Sequence, residues 1–123
     1  MGQGRTPDVA GPITYELMGQ GTIAFLERVV GGPSHLVGPS AGANVALVVA
    51  LRRPDLARRV VLIGGVFHRD GWIPEVIDHD REFHAALARG YAELSRDGVD
   101  HFAVVAAKLK RMDFATMRTL SIR

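Results

Sequence analysis

The chain has 123 residues, 47% of them hydrophobic, with no cysteine and a formal net charge of +2. That length supports one domain with a real core, and a mean hydropathy of +0.10 excludes a disordered chain. The missing thiols exclude a disulfide framework or a thiolate metal site.

Residues 2–12 are rich in Gly and Pro and read as a loop. Met1-Gly2-Gln3-Gly4-Arg5-Thr6 fits the short myristoylation pattern, which is set aside for the loop reading given below. A helix is predicted from about Tyr15 to Val30, with Thr14 as N-cap. Tyr15, Met18, Thr22, Phe25, Leu26 and Val29 form its apolar stripe. Gly19 and Gly21 weaken it by roughly 1 kcal/mol each relative to Ala, and Gly31-Gly32-Pro33 stops it. Gly19-x-Gly21-x-x-Ala24 has the spacing of a dinucleotide fingerprint, but no strand precedes it and the reading is dismissed.

Ser34–Gly38 reads as a short strand, and Ala41–Arg53 as a helix apolar nearly all round, hence buried on most sides. Between them lies Gly38-Pro39-Ser40-Ala41-Gly42, a G-x-S-x-G pentapeptide in a strand–turn–helix context, the pattern of a nucleophile elbow. A serine exposed at such a turn needs a strained backbone, and side chains two residues away on either side would collide. Glycine at 38 and 42 removes those collisions, and the Ala41 amide then points where an oxyanion would develop. Pro54 closes the helix. Val60-Val61-Leu62-Ile63-Gly64 is a second strand whose β-branched run suits a parallel sheet covered on both faces, so strand, helix and strand make one βαβ unit.

Residues 66–78 read as irregular, and amphipathic helices are predicted at about Asp80–Ser95 and Asp100–Met112. Residues 113–123 carry no strong period. The isoelectric point of 9.5 looks basic, yet the cations are scattered except for Arg52-Arg53 and Arg58-Arg59. Those four flank a helix end and complement its dipole, so no nucleic-acid partner is expected. No apolar run reaches the ~20 residues of a membrane span and no signal peptide opens the chain. The expectation is therefore no membrane partner and a cytoplasmic location.

With these residues in place, the chain resembles the α/β-hydrolase superfamily over most of its length. Gly38-Pro39-Ser40-Ala41-Gly42 is similar to its elbow. Arg53-Pro54-Asp55 and Val60–Ile63 are similar to its helix end and next core strand. Gly2-Gln3-Gly4-Arg5-Thr6 is similar to its G-x-G-x-S/T loop, and the helices at 80–112 to the start of its cap. The resemblance implies an α/β fold: a partial α/β-hydrolase core over residues 1–65, then a partial helical cap and tail over 66–123. It implies a serine hydrolase acting on a small-molecule ester or amide substrate, with Ser40 as nucleophile, the Ala41 amide as one oxyanion donor, and no cofactor. Pro39 departs from the His or aromatic residue often found there, which alters the pocket wall.

Only about 35 residues precede the elbow, and no later strand–loop pattern carries an Asp and a His, so an internal piece of a larger hydrolase is expected. The alternative is a catalytically inactive remnant or interaction module, self-associating through exposed sheet edges. A hydroxyl needs a base, and five histidines are candidates. His35 lies at the entry of the elbow strand, away from Ser40. His68 follows the second strand, at the edge where α/β sites gather, and is the best placed. His79, His84 and His101 read as surface residues of the cap helices. His79 and His84, five apart, do not share a helical face as metal ligands would. Asp70 is conceivable as an acid, although Asp70 and Asp78 read first as loop or capping residues. Phe67, Trp72 and Phe102 would line a pocket or pack in the core.

Overall fold

A computed structural model of the chain describes residues 2–66, 68, 71 and 80–112. Among these, one compact unit falls within Thr14–Gly71 and a second combines those of Met1–Ile13 with those of Trp72–Met112. The molecule is mixed α/β, with a two-stranded parallel sheet.

In the first unit the Thr14 side chain accepts the Leu17 N–H at 3.0 Å and opens α1, Tyr15–Phe25. The helix runs on into one π-helical segment, Leu26–Val30, closed by Gly31 at φ 79°, where a side chain would be strained. Strand β1 is Ser34–Pro39, helix α2 is Ala41–Arg52, and a 3₁₀ turn at Pro54–Leu56 leads into β2, Ala57–Ile63. β2 is longer than its apolar run, because Ala57 and Arg59 already pair with Ser34 and His35. The expected βαβ unit is present, β1 and β2 running parallel with Val37 opposite Val61 and Pro39 opposite Ile63.

α2 lies against both strands and also against α1. Leu26, Val49 and Leu56 form a buried cluster on which Ile23 and Leu36 pack. Gly19, read from sequence as a weak point of α1, has a packing role: a Cβ there would lie 2.3 Å from Val48 Cγ1. The missing side chain sets how closely the two helices approach. Arg53 donates to Asp55 and Glu27, and Arg52 lies 3.3 Å from Glu16, so both helix-end cations are ion-paired.

The sheet differs from expectation in its cover. Strand side chains alternate faces, and Leu36 and Gly38 face the helices. The other face carries Val37, Val61 and Ile63, which are 64%, 49% and 54% exposed. A run of β-branched residues fits a doubly covered strand, but among the described residues the helices of this unit lie on one side only, where Leu62 still remains 47% exposed.

The second unit contains α3, Asp80–Leu94, a 3₁₀ turn at Val99–His101 and α4, Phe102–Lys110. Its buried apolar residues are Ile13, Tyr91 and Val105. Tyr91 and Phe102 stack at a tilt with ring centroids 5.4 Å apart, so Phe102 has an aromatic packing partner. The Gly2–Thr6 segment is a tight turn: the Thr6 N–H donates to Gln3 O at 3.1 Å, and Gly2 and Gly4 sit at φ 61° and 57°. No helix among the described residues is long and apolar enough to cross a membrane.

The N-terminal segment is tied to these helices through Asp8. Its Oδ2 accepts from Lys108 Nζ at 2.6 Å and lies 2.9 Å from His101 Nε2, while its own N–H donates to Asp97 Oδ2 at 2.7 Å. A carboxylate only accepts, so His101 Nε2 carries the proton in this contact. The Lys108 hydrogen bond, above all, holds the Asp8 carboxyl down to about 2 from its ordinary 3.8. The unfolded chain takes up this proton first, so the Asp8 contribution is complete above about pH 4 and is lost as pH falls towards 2. Asp8→Asn is expected to cost about 1–3 kcal/mol at neutral pH and to flatten the fall in Tm between pH 4 and 2, measured by circular dichroism. A Tm profile identical to that of the unmodified chain would contradict the assignment.

Candidate active site

Ser40 occupies the junction between β1 and α2, with φ 50° and ψ −121°. It is the one non-glycine residue at positive φ among the described residues. Such a conformation costs on the order of 1–3 kcal/mol and persists only where the surroundings enforce it. Here they do so on both sides. The Ser40 N–H donates to Ile63 O at 2.8 Å, which fastens the turn to the end of β2, and Ser40 O accepts the Ala43 N–H at 2.9 Å, which fastens it to the first turn of α2.

The two glycines act as their spacing predicts, though unequally. A Cβ on Gly38 would lie 2.2 Å from Gly42 O and 2.6 Å from Ala43 N, both backbone atoms that cannot rotate away. A Cβ on Gly42 would meet Pro39 Cδ at 3.3 Å, a contact that small adjustments relieve. A third glycine, Gly65, also belongs to the turn: its Cβ would fall 2.4 Å from Ala43 Cβ. The segment after β2 therefore passes directly against the start of α2.

This arrangement leaves the Ser40 residue exposed, with no capping bond from its hydroxyl to the helix. The Ala41 and Gly42 amides lie in the first helical turn, where N–H groups have no intrahelical acceptor. They sit at the positive end of the α2 dipole. They adjoin an exposed serine, and amides at such a helix start can stabilise a developing oxyanion.

Asn44 went unnoticed in the sequence. It is one helical turn beyond Ser40 and 5% exposed, the buried polar residue of α2. Its Oδ1 lies beside Gly65, 3.4 Å from where a Cβ would be. The signal was available, since Asn44 is the sole polar side chain between Ala41 and Leu51.

The histidines fall in different places. His35 is exposed and sits opposite Arg59 at the start of the sheet, five residues before Ser40. His68 is exposed, and its carbonyl accepts the Gly71 N–H at 3.0 Å. His84 is exposed on α3. His101, read as a surface residue, is instead a partner of half-buried Asp8 in the second unit. Phe67, Asp70, Trp72, Asp78, His79 and residues 113–123 lie outside the described residues. Among the described residues no group of acidic and histidine side chains could hold a metal ion. No family model matches the chain, and neither a curated protein nor a solved structure does.

Gly38→Ala is expected to destabilise the fold by about 3 kcal/mol, the upper end for overpacking, and Gly42→Ala by about 1 kcal/mol or less. Ser40→Gly, which relieves the positive-φ strain, is expected to be more stable than Ser40→Ala by about 1 kcal/mol. Urea denaturation of the four proteins checks both orderings, and equal effects at 38 and 42 would contradict the geometry.

Proposed function

We propose that Ser40 is the nucleophile of a serine hydrolase and that the chain carries a partial α/β-hydrolase core with the beginning of its helical cap. The observation that carries this reading is the Ser40 backbone, φ 50° and ψ −121°, in a turn that glycine alone permits at position 38. Strain of this kind has a use when it presents a side chain for reaction. The substrate is a small ester or amide. Ser40 Oγ bonds to the acyl carbon, the bond to the leaving alcohol or amine breaks, and the hydroxyl proton departs with that group. The Ala41 amide donates to the oxyanion of the tetrahedral intermediate. Water then cleaves the acyl–Ser40 ester to the free acid and restores the hydroxyl. The chemistry calls for no cofactor.

The experiment is covalent capture. An activated phosphonate is expected to label Ser40 in preference to Ser34 and Ser95, with the adduct located by peptide mass mapping, and Ser40→Ala is expected to remove it. Adducts on Ser34 or Ser95 in preference to Ser40 would sink the reading.

The second reading, an interaction module, draws on the exposed sheet. Val37, Val61 and Ile63 lie together on an exposed face, and among the described residues the two-stranded sheet has two unpaired edges, which template association. The chain is expected to self-associate through this sheet, with Val61→Lys raising the monomer fraction in sedimentation velocity. A chain that sediments as a monomer across the micromolar range, with or without Val61→Lys, would refute it.

A further inference from the structure

The buried amide of Asn44 has no role in the fold described so far. It is 5% exposed, yet among the described residues its side chain makes no hydrogen bond. No described side-chain polar atom is both sealed from solvent and unpartnered. Part of the little surface that Asn44 retains is therefore at its amide head. Its Oδ1 lies beside Gly65, where a Cβ would fall 2.4 Å from Ala43 Cβ and 3.4 Å from the Asn44 Oδ1 itself. Gly65 follows the C-terminal end of β2, and Ile63, two residues earlier, holds the Ser40 N–H. Asn44 lies in the first turn of α2, about one helical turn, ~5.4 Å along the axis, beyond Ser40. The C-terminal edge of a parallel sheet is where such folds take their ligands. A carboxamide largely removed from water without a partner is costly to keep, and an apolar residue would fill the same place in a helix otherwise apolar throughout.

We infer that Asn44 is a specificity-determining residue of the Ser40 site, selecting acyl donors that carry an amide close to the reacting carbonyl. This rests on Ser40 being the acyl acceptor. The Asn44 carboxamide both donates and accepts, so it pairs with a substrate amide and is left unpaired by an alkyl chain of the same length. Sites built this way discriminate more sharply than apolar pockets do.

Two phosphonates test this in the full chain: the p-nitrophenyl methyl esters of acetamidomethylphosphonic acid and of butylphosphonic acid. With either, the Ser40 Oγ–P bond forms, the bond from P to p-nitrophenolate breaks, and the hydroxyl proton passes to buffer. p-Nitrophenolate release gives the rate, and peptide mass mapping confirms the adduct on Ser40. The ratio of the two rates cancels the intrinsic reactivities when variants are compared. Asn44→Leu, close in size and apolar, is expected to lower the acetamidomethyl-to-butyl ratio at least tenfold. Adducts on Ser40 with both probes and a ratio that Asn44→Leu leaves unchanged would overturn this inference alone, as would equal slowing of both probes, the mark of a merely structural role. Absence of a Ser40 adduct with either probe overturns the acyl-acceptor reading, and this inference with it.

Discussion

The contact between Gly38 and the Gly42–Ala43 peptide is the constraint on which residues 34–65 depend. With hydrogen in place of a side chain at 38, the end of β1 comes to rest against the first turn of α2. Two segments that close, joined by three residues, leave Pro39, Ser40 and Ala41 little conformational choice. The strain concentrates on Ser40, which takes a backbone conformation that non-glycine residues rarely adopt. The Ser40–Ile63 hydrogen bond then extends the β1–β2 ladder by one step past its last paired residues, Pro39 and Ile63. Strand end, helix start and neighbouring strand are thereby locked at one point, and the serine is directed outward from it.

What offsets that strain is the packing of α2. The helix meets β1, β2 and α1, and its approaches to β1, to α1 and to the segment after β2 each run through a glycine: Gly38 at Gly42, Gly19 at Val48 and Gly65 at Ala43. Each glycine costs roughly 0.5–1 kcal/mol in chain entropy, and the Ser40 backbone a further ~1–3 kcal/mol. Against this, fully burying a Val or Leu side chain stabilises by about 1.5–3 kcal/mol, and Val48, Val49, Leu26 and Leu56 are all buried. A helix apolar on nearly every side follows from being packed on several sides, so the composition of α2 and the strained turn before it have one origin.

The elbow was legible in the sequence because its physical requirement is local: two small residues at fixed spacing around a serine, between a strand and a helix. The parallel strand pair was legible for a similar reason, a β-branched run on each side of a helix of suitable length. What was not legible depends on partners remote in sequence. Gly19 reads as a helix weakener until Val48 is seen against it. His101 reads as a surface residue until Asp8, ninety-three positions away, is found at its ring. The exposure of Val61 and Ile63 cannot be read from their types, since β-branched residues suit a half-covered strand nearly as well as a covered one. Asn44 lies between these cases. A lone polar residue in an apolar helix is visible in the sequence, but its burial beside Gly65 requires the turn after β2 to be placed.

Whether Ser40 is an ordinary helix-capping serine can be decided by comparison within the same chain. Thr14 caps α1 in the usual way, with φ −134° and ψ 156° and its hydroxyl accepting the Leu17 N–H. That extended backbone is what turns a hydroxyl back towards the orphan amides of the first turn. Ser40 stands at the equivalent place on α2 and does neither: its φ is positive and its hydroxyl makes no capping bond. A capping serine at 40 would stabilise the helix by about 1 kcal/mol and would avoid the strain. The observed residue forgoes that stabilisation and carries the strain as well. The result is an uncommitted hydroxyl beside uncommitted helix amides, which folding alone gives no reason to maintain.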